Sequence, residues 1–423
     1  MRVPAASPSD APRRSLVVLA ILPQLIPSTL IGVVKPLLAL HRQRRIVFDV
    51  ALEAWVSRRA LARADVVVFA RNTESLYGAS LEAALALGKP VIYELDDDLF
   101  AIPPATPGSQ YHADPVRRRQ LERYLRTASL VRVYSESLRA RVAAFNPRVD
   151  RVDGLIDWDL VPTPPPPRAP ATLRIVYATS RTADLLAATF VPDLRRVLGA
   201  FPGRVEAWFW GYHPPELAGR PDTHFVEFVQ DYDIFFRRFA SAGFDIGMAP
   251  LPDDEFHRGK SDNKFREYAA SGIAGIYSDV QVYRDCVTHG RTGLLVPSVP
   301  GAWFSAMTRL IEDDALRAQI QREAWASARG RYGVAQSADV WLAHLEAALR
   351  APRPPVAVPG AATGAPFSVR ARSVTLLRRS IHVLRGRAPG AFPLAARVRW
   401  HLGSVRALIR LRREIARSRG TEA

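Results

Sequence analysis

From Phe256 to Val296 the sequence runs FHRGKSDNKFREYAASGIAGIYSDVQVYRDCVTHGRTGLLV, with cations and carboxylates placed in a loop and the helix it feeds. A basic loop with Arg258, Lys260 and Ser261 opens a helix near Ser261 or Asp262. That helix carries Lys264 and Glu267 three apart on one face and ends at Gly272. Free backbone N–H groups at a helix start, with lysines beside them, suit a diphosphate, and a carboxylate one turn later can accept two ribose hydroxyls. The same Lys264/Glu267 spacing also describes an exposed ion pair. Loops before helices are often charged for solubility, so Arg258 and Asp262 admit both readings.

Two other places carry chemistry. Tyr93-Glu-Leu-Asp-Asp-Asp-Leu-Phe100 ends a buried strand on three aspartates, which are too costly to bury unpaired and must face a cleft or cap a helix. Asp96, Asp97 and Asp98 there read as a divalent-metal site of the Asp-x-Asp kind, as acceptor-side groups, or as structural. Arg71, just after the apolar run DVVVFA, is a further cleft cation. In Ala178-Thr-Ser-Arg-Thr-Ala-Asp184, Arg181 would face a donor phosphate, unless Ser180 or Thr182 only caps the next helix. The single cysteine, Cys286, excludes an intramolecular disulfide and a thiolate-rich zinc site.

The elements that must position these groups are legible as alternation. Short β-branched runs start at Leu16, Ile46, Asp65, Pro90 and Leu130, then again at Leu173, Val205, Thr223, Phe244, Ile273 and Leu294, with helix-like stretches between them. Such runs suit strands buried on both faces of a parallel sheet. ESLYGASLEAALAL reads as one helix stopped by Gly88. Six prolines in residues 161–170 make a stiff connector between the two series. Expected is an α/β chain of two doubly wound domains facing across a cleft. Residues 1–160 form the first and 171–335 the second, and a helix over 336–352 returns toward the first. A second Pro-rich linker covers 353–367, and an Arg-rich helical tail covers 368–423.

Glu267-Tyr-Ala-Ala-Ser-Gly272, followed by a strand and His289-Gly-Arg-Thr-Gly-Leu-Leu-Val296, resembles the donor-site signature of retaining GT-B glycosyltransferases of the family-4 type. Asp245-Ile-Gly-Met-Ala-Pro-Leu251 and the Lys260-Ser-Asp-x-Lys264 loop are similar to one branch of that group; the likeness covers about residues 60–350. The resemblance implies a GT-B fold with two Rossmann-like domains and a nucleotide-sugar donor as co-substrate, with no metal and no further cofactor. It implies Glu267, Lys264 and Lys260 as the catalytic set, Glu267 on the ribose and the lysines on the departing diphosphate. Arg181, Ser261, Asp262, Gly272 and Arg258 fall on the donor side, and Asp96, Asp97, Asp98 and Arg71 on the acceptor side, where relatives carry a similar acidic run. The family's usual first glutamate, eight positions before the second, falls on Gly259, so Asp262 or the loop backbone would have to orient the transferred sugar. The implied acceptor is a glycan or lipid-linked saccharide in cell-surface polysaccharide synthesis. A non-catalytic scaffold or sugar-nucleotide-binding protein of the same fold is the alternative.

The net charge of +17 sits mostly in the tail: residues 368–423 hold 14 arginines against Glu414 and Glu422. The body is nearly balanced, which speaks against nucleic acid. Val374, Leu377, Ile381 and Leu384, and then Val398, Leu402, Val405 and Ile409, read as two basic amphipathic helices suited to an anionic membrane surface, or as a solvated extension. The uncharged run Leu16–Val34 is broken by Pro23, Gln24, Pro27, Ser28 and Thr29, so strand, loop and helix are expected there rather than a signal peptide or a membrane span. A cytoplasmic protein is expected, peripheral at most on the inner face of the plasma membrane.

Overall fold

A computed structural model describes residues 15–106, 109–161, 165, 170–179, 185–352 and 394–418, with backbone alone for residue 185 and residues 394–404. Arg181 with Ser180 and Thr182, most of the 161–170 connector, the 353–367 linker and the first tail stretch around Val374–Leu384 lie outside the described residues.

The first sheet contains β1 (Leu16–Leu22), β2 (Ile46–Leu52), β3 (Val66–Ala70), β4 (Val91–Leu95), β5 (Leu130–Val133) and β6 (Val149–Arg151), all parallel, in the order β2-β1-β3-β4-β5-β6. β3, β4 and β5 are buried along their whole length, as their apolar runs require. Two charges sit inside this sheet. Glu94 and Arg132 are register partners on β4 and β5, and Arg132 Nε donates to Glu94 Oε2 at 3.2 Å, so each compensates the other. β6, three residues long, is too short to leave a pattern in the sequence.

The second sheet contains β7 (Leu173–Ala178), β8 (Val205–Trp210), β9 (Thr223–Val226), β10 (Ile246–Ala249), β11 (Ala274–Ser278) and β12 (Leu294–Val296). Its order, β12-β11-β10-β7-β8-β9, again all parallel, is that of a dinucleotide-binding sheet. Strand order reverses between β1 and β3 in one sheet and between β7 and β10 in the other, and ligands of such sheets bind beyond the strand ends at those points.

Leu16–Val34 folds as expected: β1, a loop, a short helix Pro27–Thr29 and a π-helical turn Leu30–Val34 that feeds the helix Lys35–Arg42. No helix among the described residues is long and apolar enough to cross a membrane. The helix expected from Glu74 onward is interrupted: a 3-10 turn Ser75–Tyr77 and a helix Ala79–Ala86 meet at Gly78, and Gly88 closes the helix at φ +63.

The helix Val334–Arg350 packs on Lys35–Arg42 and places Ala338, Trp341, Leu345 and Ala348 in the core of the first domain. The connection Asp153–Trp158 is gripped by the second domain. Arg331 holds Asp153 through two bonds of 2.7 Å, Trp158 Nε1 donates to Tyr332 O at 2.5 Å, and Arg266 Nη1 donates to Leu155 O at 2.8 Å.

The tail corrects the expected register. A helix Leu394–Arg417 forms, but its buried stripe is Leu408, Leu411 and Ile415, packed into the first domain's core, while Ile409 is 46% exposed. His41 Nε2 lies 3.3 Å from Ile415 O, and Arg412 Nε donates to Val50 O at 3.0 Å. The apolar face of residues 405–418 is therefore covered by protein and is not presented to a bilayer.

Candidate active site

The two reversal points open into one cavity of about 510 Å³, within the roughly 300–1,000 Å³ usual for small-molecule sites. Its first-domain wall includes Ser28, Gly32, Arg71, Asp96, Asp97 and Tyr134. Its second-domain wall includes Thr179, Trp210, Lys260, Ser261, Lys264 and Glu267.

Glu267 lies on the helix Asn263–Ala270, its side chain 4% exposed. Asn263 Nδ2 donates to Oε1 and Lys264 Nζ to Oε2, both at 2.8 Å, so the carboxylate is oriented by its own helix. Asp262 precedes the helix without capping it. Its carboxylate instead takes Arg266 Nε at 2.8 Å and the Tyr332 hydroxyl at 2.5 Å. Burial opposes ionisation of Asp262, but Arg266 and the Tyr332 bond outweigh it and hold its pKa below the ordinary carboxylate value. The first-turn amides are thus left without a side-chain cap, next to Lys260, Ser261 and Lys264.

Across the cavity, Arg71 follows β3 in a left-handed conformation (φ +58), strained for a residue with a side chain. It bonds Asp96, and Asp97 Oδ2 at 3.0 Å. Lys260 Nζ of the second domain reaches Asp97 Oδ1 at 2.6 Å. Burial works against the charge on Asp97, yet Lys260 and Arg71 prevail and keep its carboxyl well below the usual range. Asp98 turns aside to Arg141, which also pairs with Glu255 of the second domain.

The structure brings Glu267, Lys264, Lys260, Ser261, Asp96, Asp97 and Arg71 to one cavity. Four expected residues stand elsewhere: Asp262, held by Arg266 and Tyr332, and three more. Arg258 bonds Asp253 at 2.7 Å at the exposed end of a short helix. Gly272 (φ +70) ends the helix that carries Glu267, and a Cβ there would meet Pro165 at 2.7 Å. Asp98 is buried and takes the Arg141 side chain.

Groups missed in the sequence include Asn263, Tyr134 and an aromatic wall of Trp210, Phe228, Tyr232 and Phe235. The aromatic density of VEAWFW and YDIFF was the available signal for the wall. Tyr134 donates to Glu94 Oε1 at 2.6 Å from the cavity floor; burial raises the pKa of both groups. Glu94 fills the place a side chain at Gly32 would take.

Known structures share this architecture, which is the GT-B fold. HepE of Anabaena, in complex with UDP and glucose, matches with a TM-score of 0.56 at 15% identity, over 78% of this chain and 99% of its own. Sucrose-phosphate synthase of Thermosynechococcus elongatus matches with a TM-score of 0.55 at 13% identity, over 79% and 98%. A putative UDP-N-acetylglucosamine 2-epimerase of Listeria monocytogenes matches with a TM-score of 0.51 at 12% identity, over 79% and 96%. At such identities the likeness establishes the fold. No protein-family model matches the chain, and a comparison with curated proteins gives no significant match.

Proposed function

We propose that this chain is a retaining glycosyltransferase of the family-4 type, moving a sugar from a nucleotide-sugar donor held by the second domain to a glycan or lipid-linked saccharide in cell-surface polysaccharide synthesis. The observation that carries it is Glu267: a buried carboxylate on the cavity wall, aligned by Asn263 and Lys264, one turn from uncapped helix amides and Lys260. Glu267 takes the ribose hydroxyls, and Lys260, Lys264, Ser261 and the amides take the diphosphate. HepE binds UDP and glucose in the same fold, which makes uridine diphosphate the first donor class to test.

In the transfer, the bond from the sugar's anomeric carbon to the phosphate oxygen breaks, and its electron pair leaves with the diphosphate. The acceptor oxygen bonds to that carbon on the same face and passes its proton to the departing phosphate oxygen. Charge builds on the diphosphate as the sugar becomes oxocarbenium-like. Cations already fixed at Lys260 and Lys264 stabilise that state more than the bound donor. The donor is held without a metal ion: Asp96 and Asp98, the pair an Asp-x-Asp site would use, already face Arg71 and Arg141, and Asp97 between them faces Arg71 and Lys260.

Calorimetric titration of UDP, GDP, ADP, CMP and dTDP, with EDTA present, tests the donor site. One nucleotide should bind wild type and be lost in Glu267→Ala. Binding of none, or binding only with a divalent cation, overturns this assignment in favour of a scaffold or a metal site. Product of inverted configuration from the identified donor would overturn retention.

The outward face of the terminal helix favours a peripheral contact with an anionic membrane, since Arg406, Arg410, Arg413 and Arg417 are exposed. Because its inner face belongs to the core, the discriminating variant replaces those four arginines with glutamine and leaves the helix in place. Unchanged flotation with anionic liposomes would end this idea.

A further inference from the structure

The cavity has two charged walls, and a donor bound to one of them must place its sugar against the other. Lys260 is the meeting point, reaching from the second domain to Asp97 of the first. The approach is close because position 259 has no side chain: a Cβ there would lie 3.0 Å from Asp98 Cβ and 3.4 Å from Asp98 N. Among the described residues three carboxylates border the cavity, Asp96, Asp97 and Glu267. Glu267 belongs to its own helix through Asn263 and Lys264, and Asp262 is occupied by Arg266 and Tyr332. Asp96 bonds Arg71, whereas Asp97 bonds both Arg71 and Lys260 and so stands where diphosphate and sugar would join.

We propose that Asp97 holds the hydroxyls of the transferred sugar, and that this sugar is uncharged; the proposal rests on the donor site at Glu267 and Lys260. Before a donor binds, Lys260 balances Asp97. When a diphosphate takes Lys260, Asp97 is left facing the sugar, and among the described residues Asp96 and Asp97 together keep one paired cation, Arg71. That surplus of negative charge accepts hydrogen bonds from hydroxyls and repels a sugar carboxylate. Tyr134 and Gly32 also line the cavity, and the space a side chain at position 32 would take is filled by the Glu94 carboxylate and the Tyr134 hydroxyl. Asp97 thus serves the donor sugar, with a part in choosing it.

The test compares each nucleoside diphosphate with its own sugar form: UDP, UDP-glucose and UDP-glucuronate, ADP and ADP-glucose, GDP and GDP-glucose. Each is titrated by calorimetry into wild type, Asp97→Asn and Asp96→Asn. Wild type should bind one glucose nucleotide more tightly than the matching diphosphate and gain nothing from glucuronate. In Asp97→Asn that gain should fall about 10- to 100-fold, the scale of hydrogen bonds to a charged acceptor. The diphosphate itself should bind at least as well, since Lys260 has lost its competitor. Asp96→Asn should keep most of the gain, which separates a sugar contact from general loss of acidity. If a diphosphate binds and Asp97→Asn keeps the full gain, or glucuronate binds as well as glucose, the inference falls and the donor site stands. If no diphosphate binds wild type, both fall.

Discussion

The Arg132 guanidinium lies 3.8 Å from the centre of the Trp341 ring, joining the middle of the first sheet to the helix that follows the second domain. Trp341 is fully buried, and its Nε1 donates to Gly32 O at 2.7 Å. Arg132 also bonds Glu94, which takes the Tyr134 hydroxyl. One packed network therefore runs from the return helix to the cavity floor, linking the covalent path of the chain to the shape of the site.

Trp341→Ala should destabilise the first domain by about 3–5 kcal/mol, the cost of deleting a large buried aromatic with the cavity it leaves. Trp341→Phe should cost less and report mainly the Gly32 bond and the cation contact. Urea unfolding followed by circular dichroism measures both. A loss below about 1 kcal/mol for the alanine variant would show that the return helix does not hold the domain.

His344 gives this network a pH dependence. A guanidinium can only donate, so the 2.6 Å contact from Arg132 Nη1 makes His344 Nδ1 the acceptor and leaves the proton on Nε2, 3.2 Å from Asp150 Oδ2. Burial, then the nearby Arg132 charge, push the His344 pKa down to about 4. The neutral ring is therefore the native form. Its contribution is fully present above about pH 6.5, the ordinary histidine value, and is lost as pH falls through the folded pKa. Between pH 7 and pH 4.5 wild type should lose about 2 kcal/mol more stability than His344→Gln. Parallel stability curves for the two proteins would contradict a neutral ring protonated on Nε2.

Much of this was legible because it is written in periodicity. Buried parallel strands announce themselves as β-branched runs, and Gly88 and Gly272 mark helix ends because positive φ favours glycine. The pairing of Glu267 with Lys264 follows from helical spacing alone. What was hidden depends on residues far apart in sequence. Tyr332 and Asp262 meet across 70 positions, Lys260 and Asp97 across 163, and no local pattern encodes either. The tail's sequence pattern points one face out of register because leucine and isoleucine populate both sides of the helix, and packing against the first domain selects Leu408, Leu411 and Ile415.

Asp262 separates a ligand contact from a structural one. Its carboxylate holds Arg266 and Tyr332, and Arg266 in turn fixes the connection at Leu155 O. Asp262→Ala should cost about 3 kcal/mol of stability by leaving Arg266 buried without its partner. Nucleoside diphosphate affinity, measured below the melting transition, should stay close to wild type. A large drop in affinity at unchanged stability would return Asp262 to the donor set.

Leu411 tests whether the terminal helix is part of the fold. It is 8% exposed and packs with Leu408 and Ile415 on the core that includes β2. An aspartate at 411 would place an unpaired charge against apolar side chains, and undocking the helix is the cheaper outcome. Leu411→Asp should therefore free the helix, lower the melting temperature of the first domain and raise amide exchange along β2, whose Val50 carbonyl accepts from Arg412. Ile409→Asp, at a position 46% exposed on the same helix, should change stability by less than about 0.5 kcal/mol. Equal effects of the two substitutions would place the helix away from the core and restore the register in which Ile409 belongs to the apolar face.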